Sequence, residues 1–220
     1  MRLIRIEVCS HTPKIRVIFS GCNMRCEHCS DSEICADDAI LYPATTPGKV
    51  AEEIIKLARD NNFEALIVDL LGGDPLLQYE DIVPLLDQLV FSPNRFSKNT
   101  VIIHTSGSIN FERLCDQLGS SIYFNDLNNN LLFNFIIKGP SQGEYAKEIC
   151  CEVSGQPKCI TYRNLIIDPR WSSGVYPILT FEINNDEDYD YISQLREQYP
   201  DLDSKFTIML SGYYYRDMFM

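Results

Sequence analysis

Apolar and polar positions along the chain follow two periods that alternate. Runs rich in β-branched and aromatic residues at 14–20, 65–71, 100–105, 121–125, 132–138, 160–167, 177–183 and 205–210 predict strands. Amphipathic stretches at 47–61, 79–91, 108–118, 142–151 and 186–199 predict helices between them. Several strands are near-continuous apolar runs, as expected of strands covered on both faces of a parallel sheet. Five or six βα units fill the chain, too few for a complete eight-unit barrel of about 250 residues. The expected fold is therefore α/β: an incomplete, partial TIM-type barrel, (β/α)6-like, in a single domain over residues 1–220.

Local signals sharpen some boundaries. Thr46-Pro47 places a cap residue before a first-turn proline, and Asn185 precedes Asp186, Glu187 and Asp188, an acidic first turn suited to the helix dipole. In the first helix Val50, Ile54, Ile55, Leu57 and Ala58 gather on roughly one face. Residues 1–13 carry LIRIEV (3–8), read as an edge strand or hairpin. The stretch 126–130 (DLNNN) reads as a turn and 168–176 as a longer loop. Residues 205–220 are read as a last strand and a tail, Ser211 to Met220, that covers the barrel's open end or meets another protein. No internal repeat, low-complexity tract or linker divides the chain.

Composition adds direction. The chain has 220 residues, 45% of them apolar and 23% charged, enough for a sizeable core. A formal net charge of −12 repels polyanions, so nucleic acid is not an expected partner. No apolar run has the length of a membrane span, and the first residues alternate charged and apolar, unlike a signal peptide, so the expected location is cytoplasmic with no membrane partner. Nine cysteines, an odd number in a reducing compartment, point to metal ligation rather than a disulfide framework.

Three of those cysteines stand together. Cys22, Cys26 and Cys29 have the spacing C-x3-C-x2-C directly after the apolar strand VIFS. Three thiolates from one short loop can wrap one corner of a cubane iron–sulfur cluster and leave the fourth iron without a protein ligand. Zinc is the other chemistry open to this loop, with Cys35 or His28 completing a tetrahedral set. A second motif, Gly72-Gly73-Asp74-Pro75, follows the strand ALIVDLL. Two glycines before an acidic residue let the backbone approach a ligand at a strand's C-terminal end, and they also make an ordinary strand-to-helix turn.

The two motifs in this order resemble the radical SAM superfamily. The resemblance implies a [4Fe–4S] cluster on Cys22, Cys26 and Cys29 whose open iron chelates S-adenosylmethionine. One electron then cleaves the cofactor to methionine and a 5′-deoxyadenosyl radical that abstracts hydrogen from a substrate, with the protein positioning the chemistry. It further implies that Gly72, Gly73, Asp74 and Pro75 meet the cofactor's amino group and that His28 lies beside its adenine. Thr105, Ser106 and Ser108, in the segment after the strand TVII, would contact its carboxylate or ribose. An electron donor of flavodoxin or ferredoxin type is an implied partner.

Within the superfamily two groups are similar. VIFSGCNMRC and LLGGDPLLQ resemble activating enzymes of glycyl-radical proteins, whose partner is a protein; the GCN-x-x-C-x-x-C loop also resembles 7-carboxy-7-deazaguanine synthase, whose substrate is a small molecule. Ser30-Asp31-Ser32 departs from both patterns, which leaves a peptide- or metabolite-modifying enzyme open, and a zinc-stabilised binding module or an electron carrier are the non-catalytic alternatives. Cys150, Cys151 and Cys159 raise an auxiliary cluster, although adjacent cysteines present both sulfurs to one metal poorly. Cys9 and Cys115 read as core residues. Lys138 and Arg163, charged residues in apolar strands, need a partner or ligand if buried, or else reach the surface.

Overall fold

The computed structural model describes residues 1–22, 42–91, 96, 98–106, 113, 129–138, 141 and 178–211. They fall into two compact units, the described residues up to Thr105 in the first and those from Phe133 onward in the second.

In the first unit β1 (Leu3–Val8) runs antiparallel to β2 (Ile15–Phe19), and β3 (Leu66–Gly72) and β4 (Asn99–Thr105) follow in parallel. The parallel register brings Ile15, Val68 and Val101 side by side, and likewise Val17, Leu70 and Ile103. All six are buried, on one sheet face. Helix α1 (Pro47–Asp60) lies against β2 and contributes Val50, Ala51, Ile54 and Ala58 to this core. Burying a side chain such as Ile54 contributes about 1.5–3 kcal/mol. The expected cap is present: Thr46 accepts from the Lys49 N–H at 3.4 Å, with Pro47 in the first turn. A 3-10 turn (Pro75–Gln78) leads into α2 (Tyr79–Leu86), which closes in a π-helical turn over Asp87–Phe91.

The second unit holds β5 (Asn129–Lys138) from Phe133 onward, β6 (Ile178–Glu182) and β7 (Thr207–Ser211), again parallel in chain order. Phe133, Phe135, Leu179 and Phe181 are buried, and the Thr180 hydroxyl donates to the Asn134 side chain at 2.7 Å. Helix α3 (Asp186–Gln198) starts on the expected Asn185 cap, which accepts from the Asp188 N–H at 3.1 Å. Asp188 is 1% exposed, and its carboxylate accepts from the Ser141 N–H at 2.9 Å, the Ser141 hydroxyl at 2.5 Å and the Asn184 N–H at 2.8 Å. Asp188→Ala strands those donors and is expected to cost about 2–4 kcal/mol, read as a lower denaturation midpoint.

Parallel strands in each unit, joined by helices where the crossovers are described, make this the α/β class, in keeping with the expected incomplete barrel. Four expectations are corrected. Asn129 and Asn130, read as part of a turn, belong to β5, because ladder pairing overrides local turn propensity. Residues 205–206 do not start the last strand: Leu202–Lys205 form a short helix, α4, because Leu202 and Phe206, both buried, bracket one helical turn. Cys9 is only half-buried. The apolar runs of the first unit are not apolar on both faces, since Asp69 and His104 interrupt them. The segments 108–112, 114–118, 121–128, 142–151 and 160–176 lie outside the described residues, and no helix among those described is long and apolar enough to cross a membrane.

Candidate active site at the ends of β2, β3 and β4

β2 leaves the sheet through Ser20, Gly21 and Cys22, with Gly21 at φ +88°. β3 ends on Gly72 at φ +114°, a left-handed region that favours glycine. The two exits are joined by backbone hydrogen bonds: the Gly73 N–H donates to the Phe19 carbonyl at 3.1 Å and the Asp74 N–H to the Gly21 carbonyl at 3.0 Å. A Cβ on Gly73 would sit 1.6 Å from the Gly21 carbonyl oxygen, so only glycine permits this approach. The turn is thereby held at the residue before the first cysteine of the cluster motif.

Asp74 shapes the turn from inside. It is 2% exposed, and its carboxylate caps the 3-10 turn by accepting from the Leu76 N–H at 3.0 Å. Thr105, also buried at the end of β4, donates its hydroxyl to the same carboxylate at 2.8 and 3.0 Å. Pro75 and Leu76 are buried beneath it. Gln78 completes the fastening: its side-chain oxygen accepts from the Arg2 N–H at 2.5 Å, and its amide donates to the carbonyls of Arg2 at 3.1 Å and Ser20 at 3.2 Å. Gln78 carries no chemistry in the motif LLGGDPLLQ by its residue type alone; its place three residues beyond the proline was the available signal.

Cys22 lies on this exit, half-buried. A thiolate donor on an exit braced by the Gly73-Asp74 turn fits an iron–sulfur cluster, with Cys26 and Cys29 outside the described residues. Of the other candidates, Gly72, Gly73, Asp74, Pro75 and Thr105 are brought together here, and Ser106 directly follows β4. His28, Ser108, Cys35, Cys115, Cys150, Cys151, Cys159 and Arg163 lie outside the described residues, and Lys138 ends β5.

A second polar group was missed altogether. Asp69 on β3 is 3% exposed and pairs with the Lys14 ammonium at 2.7 Å, while His104 Nε2 lies 3.6 Å from its other oxygen. Burial pushes the Asp69 carboxyl up, but hydrogen bonding and charge from His104 and Lys14 outweigh it and hold the group below its ordinary value. A carboxyl lowered on folding stabilises the fold above its unfolded pKa, and that stability fades as pH falls through the folded one. Asp69→Asn is therefore expected to flatten the acid limb of stability against pH, measured by chemical denaturation from neutral pH downward.

Comparison with known proteins decides the family. Residues 13–148, more than half of the chain, match the family described as 4Fe-4S single cluster domain. The chain belongs to that family. Membership of the 4Fe-4S single cluster domain family is in keeping with the radical SAM resemblance and bears out the [4Fe–4S] cluster that it implies. This family member is 34% identical over 95 residues to a 7-carboxy-7-deazaguanine synthase from Koribacter versatilis (strain Ellin345), an alignment covering 43% of this chain and 36% of that one. It thus spans about a third of that relative's length. Among solved structures it is similar to native anSMEcpe with bound AdoMet and Cp18Cys peptide, at 13% identity and a TM-score of 0.46, covering 87% of this chain and 48% of that one.

Proposed function

We propose that the protein is a radical SAM enzyme that cleaves S-adenosylmethionine reductively and uses the product to take hydrogen from a substrate. The observation that carries this reading is the hydrogen-bonded seam between the Gly73-Asp74 turn and Gly21, which fastens the second motif next to Cys22. Cys22, Cys26 and Cys29 would hold the cluster. Gly72, Gly73, Asp74 and Pro75, with Thr105, Ser106, Ser108 and His28, would surround the cofactor. When bound and reduced, the cluster supplies the electron that breaks the cofactor's carbon–sulfur bond.

The chain's own part is positional. Asp74 spends its carboxylate on Leu76 and Thr105, so it fixes the path of the turn. Gly72 and Gly73 let the turn pack directly on the Phe19 and Gly21 backbone, where any side chain would clash. A flavodoxin- or ferredoxin-type donor would deliver the electron.

Of the finer readings, a small-molecule substrate is favoured by the similarity to the synthase; activation of a glycyl-radical protein rests on the motif resemblance alone. Anaerobic purification should give a brown protein absorbing near about 400 nm with about four irons per chain. S-adenosylmethionine and dithionite should then yield 5′-deoxyadenosine. A colourless protein carrying one zinc, or an iron protein that leaves the cofactor intact, defeats the reading.

A further inference from the structure

The 3-10 turn that follows β3 grips more than Gly21. Gln78, its last residue, uses its whole carboxamide: the oxygen accepts from the Arg2 N–H at 2.5 Å, and the nitrogen donates to the carbonyls of Arg2 at 3.1 Å and Ser20 at 3.2 Å. By giving to and receiving from one residue, the side chain pairs with Arg2 as a neighbouring strand would. The Asp74 N–H, at the start of the same turn, holds Gly21, so the two residues before Cys22 are both fastened to it.

Arg2 carries the grip to the other end of the cysteine loop. Its carbonyl also accepts from the Ser20 N–H at 3.3 Å, and Arg2 forms an antiparallel bridge with Ala44. Beside it the Met1 carbonyl accepts from the Thr45 N–H at 2.8 Å. Ser20 and Ala44 bracket the segment that contains Cys22, Cys26 and Cys29. The backbone of residues 1–2 thus ties the two ends of that segment together, and Gln78 holds the tie. Pinning both ends of a loop removes part of the closure entropy that three thiolates would otherwise have to overcome to gather on one cluster.

No near relative of glutamine makes the same set of bonds. Glutamate keeps the acceptor and loses both donated bonds, and asparagine is one methylene shorter. The bonds are exposed or only partly buried, so their loss is felt by the loop more than by the core.

We propose that Gln78 is the positioning residue of the cysteine loop: through Arg2 it clasps the loop's two ends and holds Cys22, Cys26 and Cys29 ready for the cluster. The proposal rests on the radical SAM reading above.

Gln78→Glu and Gln78→Met test it in the full chain, with Gln88→Met as the control, since Gln88 donates to the Pro84 carbonyl one turn back. In the cluster-free protein, hydrogen–deuterium exchange read by mass spectrometry should quicken about fivefold in the peptides that hold Ser20 and Thr45, the factor of about one hydrogen bond, with β3 and β4 unchanged. After anaerobic reconstitution, iron should pass to a chelator about tenfold faster. The EPR signal of the dithionite-reduced cluster should broaden and leave its wild-type g values, while the unfolding midpoint of the cluster-free protein stays close to that of the wild type. A glutamine that only supported the fold would move the midpoint and leave the EPR signal alone. Wild-type exchange at Ser20 and Thr45 in both variants, or wild-type iron release and EPR signal in both, overturns the proposal. Gln78→Glu retains the bond from Arg2, so it carries the same test if Gln78→Met fails to fold. A wild type that takes up no iron would instead remove the radical SAM reading, and amide exchange, which needs no metal, still decides the clasp.

Discussion

Gly73→Ala is expected to leave the protein unable to retain iron. The added Cβ would meet the Gly21 carbonyl oxygen at 1.6 Å, and its neighbours there are backbone atoms that no rotamer change moves aside. Either the Gly73–Phe19 and Asp74–Gly21 hydrogen bonds break or β2 and β3 shift apart, and relief of this kind costs more than about 3 kcal/mol. Iron per chain should fall from about four to near none after anaerobic reconstitution, with a lower midpoint of thermal unfolding. Gly48→Ala is the control. Its Cβ would meet only the Gln88 side chain at 3.5 and 3.8 Å, within helix α1, so that variant should keep its iron and gain up to about 1 kcal/mol. Full iron retention in Gly73→Ala would show that the seam does not hold the cysteine loop.

Cys22→Ala is the second large effect. It removes a proposed cluster ligand on the exit of β2 and creates no backbone clash, so it separates ligand chemistry from fold. Absorbance near about 400 nm should be lost. Release of 5′-deoxyadenosine should drop more than about a hundredfold, since even partners one shell out from a metal cost 10–100-fold. The unfolding midpoint of the cluster-free protein should stay close to that of the cluster-free wild type. A variant that still forms the product at the wild-type rate would remove Cys22 from the ligand set.

Much of this was written in the sequence. The strands at 14–20, 65–71 and 100–105 stand where their β-branched runs predict them, because burial against α1 and the 3-10 and π-helical turns rewards the residues those runs contain. Both helix caps were legible too, since a capping side chain bonds within its own turn and needs no distant partner. What depended on distant partners was harder to read. Asp69 was passed over within the strand ALIVDLL, and only the register that sets Lys14 and His104 around it reveals a polar cluster. Asp74 was read for its charge toward a ligand. Its bond from Thr105, thirty-one positions on, shows the same carboxylate shaping the turn.

The seam between Gly21 and the Gly73-Asp74 turn also bears on the order of events during synthesis. As the chain leaves the ribosome, Cys22 emerges a whole βα unit before the glycine that braces it. A nascent chain stopped short of β3 would have its thiols exposed with no cradle around them. Metal delivered at that stage meets an unbraced loop, so cluster insertion is best timed after β3 has paired with β2 and the Gly73-Asp74 turn has closed on Gly21.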